Sequence, residues 1–135
     1  MLHLTRSAHE SLVGHAYDGL PLEACGLLGG DPSSAKVTVF YPCVNAAASS
    51  RVYTVDPKDY LRADRDAQAR GLEIIGVVHS HTHTDAYPSA TDVAQAPDPS
   101  WHYVSVSMKD DAPVTRSFRI LDGDIVDEPI EVLPQ

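Results

Sequence analysis

The stretch that decides the fold is LEIIGVVHSH, residues 72–81. Its middle is an almost continuous apolar run, which is typical of a strand buried on both faces of a sheet. The run ends in His79 and His81, and residues two apart on a strand point to the same side. The stretch therefore predicts a central strand that presents two imidazoles together at its end.

Weaker patterns on either side of this strand predict a succession of helices and strands. Ser7 is a candidate helix cap with Glu10 as its capping-box partner, and Asp56 followed by Pro57 is typical of a helix start. The predicted helices cover residues 6–18, 57–70 and 89–96. The predicted strands cover residues 23–29, 37–41, 72–81, 103–108, 114–121 and 125–132, with 52–55 as a short additional candidate. The sequence thus predicts an α/β fold with about six strands and about three helices.

The composition predicts one domain spanning residues 1–135. Hydrophobic residues make up 43% of the chain and charged residues 21%, which is ordinary for a globular domain. The formal net charge of −9 opposes binding to phosphate backbones and anionic membrane surfaces, so we expect neither nucleic acid nor a membrane as partner. No apolar run approaches the roughly 20 residues of a membrane span, and the N-terminal segment lacks the apolar stretch of a signal peptide. We therefore expect a cytoplasmic protein.

The two cysteines, Cys25 and Cys43, do not form the framework of a disulfide scaffold. In a cytoplasmic protein both are expected to be reduced thiols. The apolar neighbours of Cys25 favour a buried structural residue over a reactive nucleophile.

A metal site is indicated by the residues that follow the central strand. Two imidazoles and a carboxylate are a common ligand set for catalytic zinc, and His79, His81 and Asp92 supply one. Ser89 lies three residues before Asp92, so the two share a helix face, although this pair is also a plausible capping arrangement. His83 continues the alternation as a further candidate ligand, but the residues after it suggest that the strand has already ended.

This spacing resembles the signature of the JAMM (MPN-plus) metalloprotease family, which is H-x-H, seven residues, Ser, two residues, Asp. The signature also includes a glutamate upstream, and Glu23 in PLEACGLLG, residues 21–29, occupies that place. The resemblance implies a cytidine-deaminase-like α/β domain with a curved mixed sheet and one catalytic zinc ion. It further implies that Glu23 moves the proton of the attacking water and that Ser89 stabilises the oxyanion.

The compact form of the chain is similar to the bacterial Mec-type hydrolases within that family. The resemblance is carried by AYPSATDV, residues 86–93, and FRILDG, residues 118–123. It implies a ubiquitin-like sulfur-carrier protein (CysO) with a Gly-Gly tail as partner, and release of cysteine from the carrier–cysteine adduct. RVYT, residues 51–54, is the candidate edge for that tail. In this stretch, Arg51 either contacts a substrate carboxylate or is simply an exposed, solvated side chain. Tyr53 is a candidate substrate contact, although packing is its favoured role.

The sequence is compatible with three alternative functions. The protein is a broader peptidase that acts on other Gly-Gly-tailed carriers, a non-catalytic MPN scaffold, or a deaminase of related fold. The intact ligand set argues against the scaffold. The Cys-x-x-Cys ligand pair of a deaminase is missing from the sequence.

Overall fold

The computed structural model describes residues 1–50, 53–96 and 98–134 and contains, within these ranges, three helices and eight strands. The helices are α1 (Arg6–Gly19), α2 (Pro57–Ala69) and α3 (Ala90–Ala94). The strands are β1 (Leu2–Leu4), β2 (Cys25–Asp31), β3 (Lys36–Cys43), β4 (Glu73–His81), β5 (His102–Ser107), β6 (Val114–Leu121), β7 (Asp124–Glu128) and β8 (Ile130–Val132). They form one mixed sheet in the order β7-β6-β5-β4-β2-β3-β1-β8. The α/β class and the three helices are confirmed, whereas the predicted number of about six strands is wrong.

The difference between the predicted and the observed number of strands has two physical causes. β1 has only three residues, too few to show an alternating pattern, yet it pairs in parallel with both β3 and β8. The predicted strand 125–132 is divided at Pro129, because proline has no N–H to continue a ladder. The two halves lie at opposite edges of the sheet. Since a single residue joins the two edges, the sheet must curl strongly back on itself.

β4 lies at the centre of this sheet, antiparallel to β2 and parallel to β5. Ile75 and Val78 pack into the core that contains α1, and Ile74 and Val77 pack into the core that contains α2. The predicted central strand buried on both faces is therefore confirmed. Its C-terminal end carries both histidines of the predicted site.

The first helix begins at residue 6 as predicted, but its capping residue differs from the prediction. Thr5, not Ser7, caps α1, and its Oγ1 accepts the Ala8 N–H at 3.2 Å. The Thr5 N–H donates to the Val37 carbonyl at 3.0 Å, which keeps residue 5 extended, so the helix begins at residue 6. The predicted Asp56 cap is confirmed. Within the described ranges, no helix is both long enough and apolar enough to cross a membrane.

A buried polar cluster fastens the end of β7 to its neighbours. The Glu128 carboxylate contacts His102 Nδ1 at 2.6 Å and accepts a hydrogen bond from Ser117 Oγ at 2.7 Å. All three side chains are buried. Burial acts to raise the pKa of Glu128, but the hydrogen bonds from His102 and Ser117 outweigh it and lower that pKa. The carboxylate is therefore ionised and paired at neutral pH.

We expect Glu128→Ala to lower the free energy of unfolding by about 3 kcal/mol, because it leaves two buried polar groups without their partner. Chemical denaturation at neutral pH measures the loss. Glu131→Ala is the matched control, since Glu131 pairs with His3 at the surface and should cost less than about 1 kcal/mol. Equal losses in the two variants would contradict a special role for the buried cluster.

Candidate metal centre

His79 and His81 lie at the C-terminal end of β4 and face the same side of the sheet. The intervening Ser80 points to the opposite side, where its Oγ accepts the Ala24 N–H at 2.8 Å. Both histidines are buried, with 3% and 4% of their surface exposed. Their Nε2 atoms lie 2.8 Å apart. The structure thus brings the two imidazoles together, as the two-residue period of the strand predicts.

Asp92 joins them from α3. Ser89 caps this helix, and its Oγ accepts the Asp92 N–H at 3.1 Å while Asp92 Oδ2 accepts the Ser89 N–H at 2.8 Å. The same Oδ2 lies 3.1 Å from His79 Nε2 and 3.2 Å from His81 Nε2. The capping arrangement and the ligand arrangement predicted from the sequence are therefore compatible, because one carboxylate oxygen takes part in both.

The three converging atoms fit the donor set and the spacing of a zinc site. In a tetrahedral site with bonds of about 2.0–2.1 Å, ligand atoms lie about 3.3 Å from one another, close to the distances found here. His81 Nδ1 donates to the Asp85 carbonyl at 2.7 Å. This hydrogen bond places the proton on Nδ1 and turns the Nε2 lone pair toward Asp92, as is usual for a metal-binding histidine.

His79 is held in a different way. Its Nδ1 is buried and has no hydrogen-bond partner among the described residues. Instead, the ring of Tyr53 stacks on the ring of His79, with centroids 4.3 Å apart and an angle of 12° between the planes. Tyr53 therefore packs against a candidate ligand. Arg51, the other predicted substrate contact, lies outside the described residues.

The protonation states of this cluster follow from burial and hydrogen bonding. Burial lowers the pKa of His79. Burial also acts to lower the pKa of His81, but its hydrogen bonds with Asp92 and the Asp85 carbonyl outweigh burial and raise that pKa. For Asp92, burial is outweighed by the hydrogen bonds with both imidazoles, which hold its pKa well below the ordinary range. The carboxylate is therefore ionised at neutral pH, as metal binding requires.

Glu23 lies beside this cluster, in the segment just before β2. The predicted strand 23–29 begins two residues later, at Cys25. The Glu23 N–H donates to the Ser49 carbonyl at 2.8 Å, and its carbonyl accepts the side-chain N–H of Asn45 at 2.9 Å. The residue is 5% exposed, and burial raises the pKa of its carboxyl to about 7. A carboxyl with that pKa can both accept and release a proton near neutral pH.

Two clefts lined by different sets of side chains lie beside the cluster. The first, called the polar cleft, has a volume of about 410 Å³ and is lined by Glu23, Ser50, His81, Thr82, His83, Thr84 and Ser89. The second, called the aromatic cleft, has a volume of about 530 Å³ and is lined by Leu27, Tyr53, Thr54, Val55, Tyr60, Val77, Gln95, Asp98 and Trp101. Sequence reasoning missed Tyr60 and Trp101, because only the folded chain brings their segments together. It also missed Thr82 and Thr84, which adjoin the histidines but belong to no ligand pattern.

The two cysteines are paired across β2 and β3 and are buried, with Cys25 1% and Cys43 5% exposed. Burial raises the pKa of each thiol to about 12. Neither is a thiolate near neutral pH, which agrees with the predicted structural role of Cys25.

The family of the chain follows from its sequence as well as from this geometry. Residues 5–121 match the family described as prokaryotic homologs of the JAB domain. The chain belongs to this JAB/MPN family, which confirms the predicted relationship to JAMM proteins.

Particular relatives make the comparison more precise. The chain is 39% identical over 126 residues to the CysO-cysteine peptidase of Mycobacterium tuberculosis, covering 93% of this chain and 86% of that protein. It is 36% identical over 111 residues to the desampylase of Haloferax volcanii, covering 78% and 80%. Among solved structures, a protein from Desulfitobacterium hafniense superposes with a TM-score of 0.92 at 36% identity, covering 100% of this chain and 94% of that one.

We expect Glu23→Gln to stabilise the metal-free protein at pH 8 but not at pH 4.5. The ordinary pKa of 4.5 rises to about 7 on folding, so the folded state binds this proton more tightly than the unfolded state. Wild-type stability therefore falls as the pH rises between these values, by about 3 kcal/mol at most, and glutamine removes this loss.

Denaturation in chelator at the two pH values measures this effect. Glu73→Gln is the matched control, because Glu73 is exposed at the start of β4. A stability gain for Glu23→Gln that is the same at both pH values would contradict the buried, perturbed carboxyl.

We expect Tyr53→Ala to weaken metal binding about tenfold or more, because His79 loses the ring that orients it. Tyr53→Phe keeps the stacking surface and should bind metal within about twofold of the wild type. Competition with a chromophoric chelator measures these affinities. Tyr60→Ala, which alters the same cleft at a residue stacked on Trp101, serves as control. An unchanged affinity in Tyr53→Ala would show that the stacking does not position the ligand.

Proposed function

We propose that this protein is a zinc-dependent hydrolase of ubiquitin-like sulfur-carrier adducts. It cleaves the amide bond after the C-terminal Gly-Gly of the carrier and releases cysteine from the carrier–cysteine adduct. The observation that carries the reaction type is the convergence of His79, His81 and Asp92 beside the buried carboxyl of Glu23. The identity of 39% to a CysO-cysteine peptidase supports the choice of substrate.

The three converging side chains would hold one zinc ion. When bound, zinc supplies Lewis acidity, which lowers the pKa of water to about 7 and polarises a carbonyl group. The protein contributes fixed ligands, a buried setting and an ionised Asp92. These features favour binding without reorganisation of the site.

Glu23 is the proton carrier in this proposal. Hydrolysis places a hydroxyl group from water on the acyl carbon and delivers the remaining proton to the leaving nitrogen. Glu23 accepts the proton from the attacking water and then donates it to that nitrogen as the amide bond breaks. The pKa of about 7 supports both halves of this transfer, because neither protonation state is strongly disfavoured near neutral pH.

Ser89 stabilises the carbonyl oxygen as it gains negative charge. Its Oγ accepts the Asp92 N–H, so its own hydrogen remains available for donation to the substrate. Removing one such donor in comparable sites costs about a hundredfold or more in kcat. Ser89 lines the polar cleft together with Glu23, which supports a shared role for the two groups in the proposed reaction.

We place the carrier tail at the aromatic cleft, on the side of the cluster where Tyr53 lies. An extended Gly-Gly segment is slim enough for a narrow groove. Tyr53 and Thr54 line the aromatic cleft, and Tyr53 borders His79, so we place the tail along this segment. Contact between Arg51 and a substrate carboxylate stays a prediction. The two free cysteines are compatible with a reducing compartment, and we place the reaction in the cytoplasm.

A second candidate is a broader peptidase for several Gly-Gly-tailed carriers. The identity of 36% to a desampylase supports this alternative. The same ligands and proton carrier would serve both reactions, so only the substrates distinguish them. Parallel assays with several carrier adducts decide between the two candidates.

We expect zinc-loaded protein to remove one cysteinyl residue from a sulfur-carrier protein that ends in Gly-Gly-Cys, as followed by intact mass spectrometry. Chelator should abolish the mass loss, and added zinc should restore it. Glu23→Gln should retain zinc yet lower the rate by about 10²-fold or more, because the proton has no carrier.

Glu73→Gln is the control for this experiment and should hydrolyse the adduct at the wild-type rate. Normal turnover by Glu23→Gln would overturn the role of Glu23. An unchanged carrier mass with zinc-loaded wild-type protein would overturn the proposed substrate.

A further inference from the structure

The polar cleft has a lining suited to a charged or strongly polar group. Every residue that lines it carries a hydroxyl, an imidazole or a carboxylate. The aromatic cleft on the opposite side is lined mainly by aromatic and aliphatic side chains. The two sides of the scissile bond therefore face different sets of side chains, and only the polar cleft combines hydroxyl and imidazole groups with Glu23.

The position of Glu23 assigns the polar cleft to the leaving group. This step rests on the proposed function, in which Glu23 donates a proton to the leaving nitrogen. A general acid must lie within hydrogen-bond reach of the atom that it protonates. Because Glu23 lines the polar cleft, the leaving nitrogen and the atoms attached to it enter that cleft.

Two adjacent side chains on the segment that follows β4, those of His83 and Thr84, are available to bind such a group. The hydroxyl of Thr82 is already engaged, since it donates to the Ser50 carbonyl at 3.0 Å. Ser89 Oγ accepts from the backbone of α3, and in the proposed reaction its hydrogen is used by the carbonyl oxygen of the scissile bond. In the part of the chain that the structure describes, the exposed side chains of His83 and Thr84 have no hydrogen-bond partner. They therefore present an imidazole N–H and a hydroxyl to the cleft.

The segment that carries these two donors is held firmly in place. The His81 carbonyl accepts the Met108 N–H at 2.9 Å, which fixes its start. The Thr84 carbonyl accepts from Ser107 Oγ at 2.6 Å, and Lys109 Nζ contacts Asp85 Oδ1 at 3.0 Å. Donors on a fixed segment bind a ligand at a smaller entropic cost than donors on a mobile one.

We propose that the polar cleft is a binding site for the free α-carboxylate of a leaving amino acid, with His83 and Thr84 as its hydrogen-bond donors. The formal net charge of −9 offers a carboxylate no general attraction, so recognition requires local donors. The enzyme then favours adducts whose leaving group is a single α-amino acid. Adducts that lack a carboxylate at this position are poorer substrates.

The test compares two adducts of the same carrier, one ending in Gly-Gly-cysteine and one ending in Gly-Gly-cysteamine. Cysteamine keeps the amide and the thiol of cysteine and lacks only the carboxylate. We expect zinc-loaded wild-type protein to cleave the cysteine adduct with a kcat/KM about tenfold higher or more, because hydrogen bonds to a charged group are lost with the carboxylate.

Variants of the two donors locate the recognition. His83→Ala and Thr84→Val should each lower kcat/KM for the cysteine adduct about tenfold and leave the cysteamine adduct within about twofold of the wild type. His9→Ala is the matched control, because His9 lies on α1, away from the cleft. Zinc content, measured for every variant, reports any disturbance of the neighbouring ligands.

The outcomes separate this proposal from the proposed function. Equal cleavage of the two adducts by the wild type, or an equal loss on both adducts in His83→Ala and Thr84→Val, would overturn the carboxylate site and leave the hydrolase intact. Cleavage of neither adduct by zinc-loaded wild type would overturn the proposed function, and the carboxylate site with it.

Discussion

The structure of this site depends on the close approach of three electron-pair donors in a buried place. Two imidazole nitrogens and one carboxylate oxygen lie within 3.2 Å of one another, and both histidines are almost fully buried. At least one imidazole, that of His81, directs a lone pair into this space. A bound cation would offset the resulting accumulation of negative potential, which supports the proposal of a metal site over a structural ion pair.

The same constraint connects the site to the local fold. α3 has only five residues, and a helix of this length is unstable by itself in water. Asp92 stabilises it by accepting the Ser89 N–H, and the oxygen that does so also faces the two histidines. Metal binding through this oxygen would therefore be coupled to the order of the helix. Ser89, which caps the helix, is positioned by the carboxylate that would ligate the metal.

Much of this arrangement could be predicted from the sequence because it depends on short-range periodicity. The two-residue period of a strand places His79 and His81 together, and the apolar run before them defines the central strand. The edges could not be predicted, because β1 is very short and Pro129 divides one apparent strand into two. The stacking of Tyr53 on His79 and the lining of the two clefts depend on contacts between distant segments, to which no local pattern corresponds.

The most direct test of this account is the coordination of zinc by the metal-free protein. X-ray absorption spectroscopy after titration with zinc measures the number and the type of ligands. We expect one zinc ion per chain, with two imidazole ligands and oxygen ligands at about 2.0–2.1 Å, and loss of stoichiometric binding in His79→Ala. Stoichiometric zinc retained by His79→Ala, or a wild-type protein that binds no zinc, would contradict a zinc site formed by His79, His81 and Asp92.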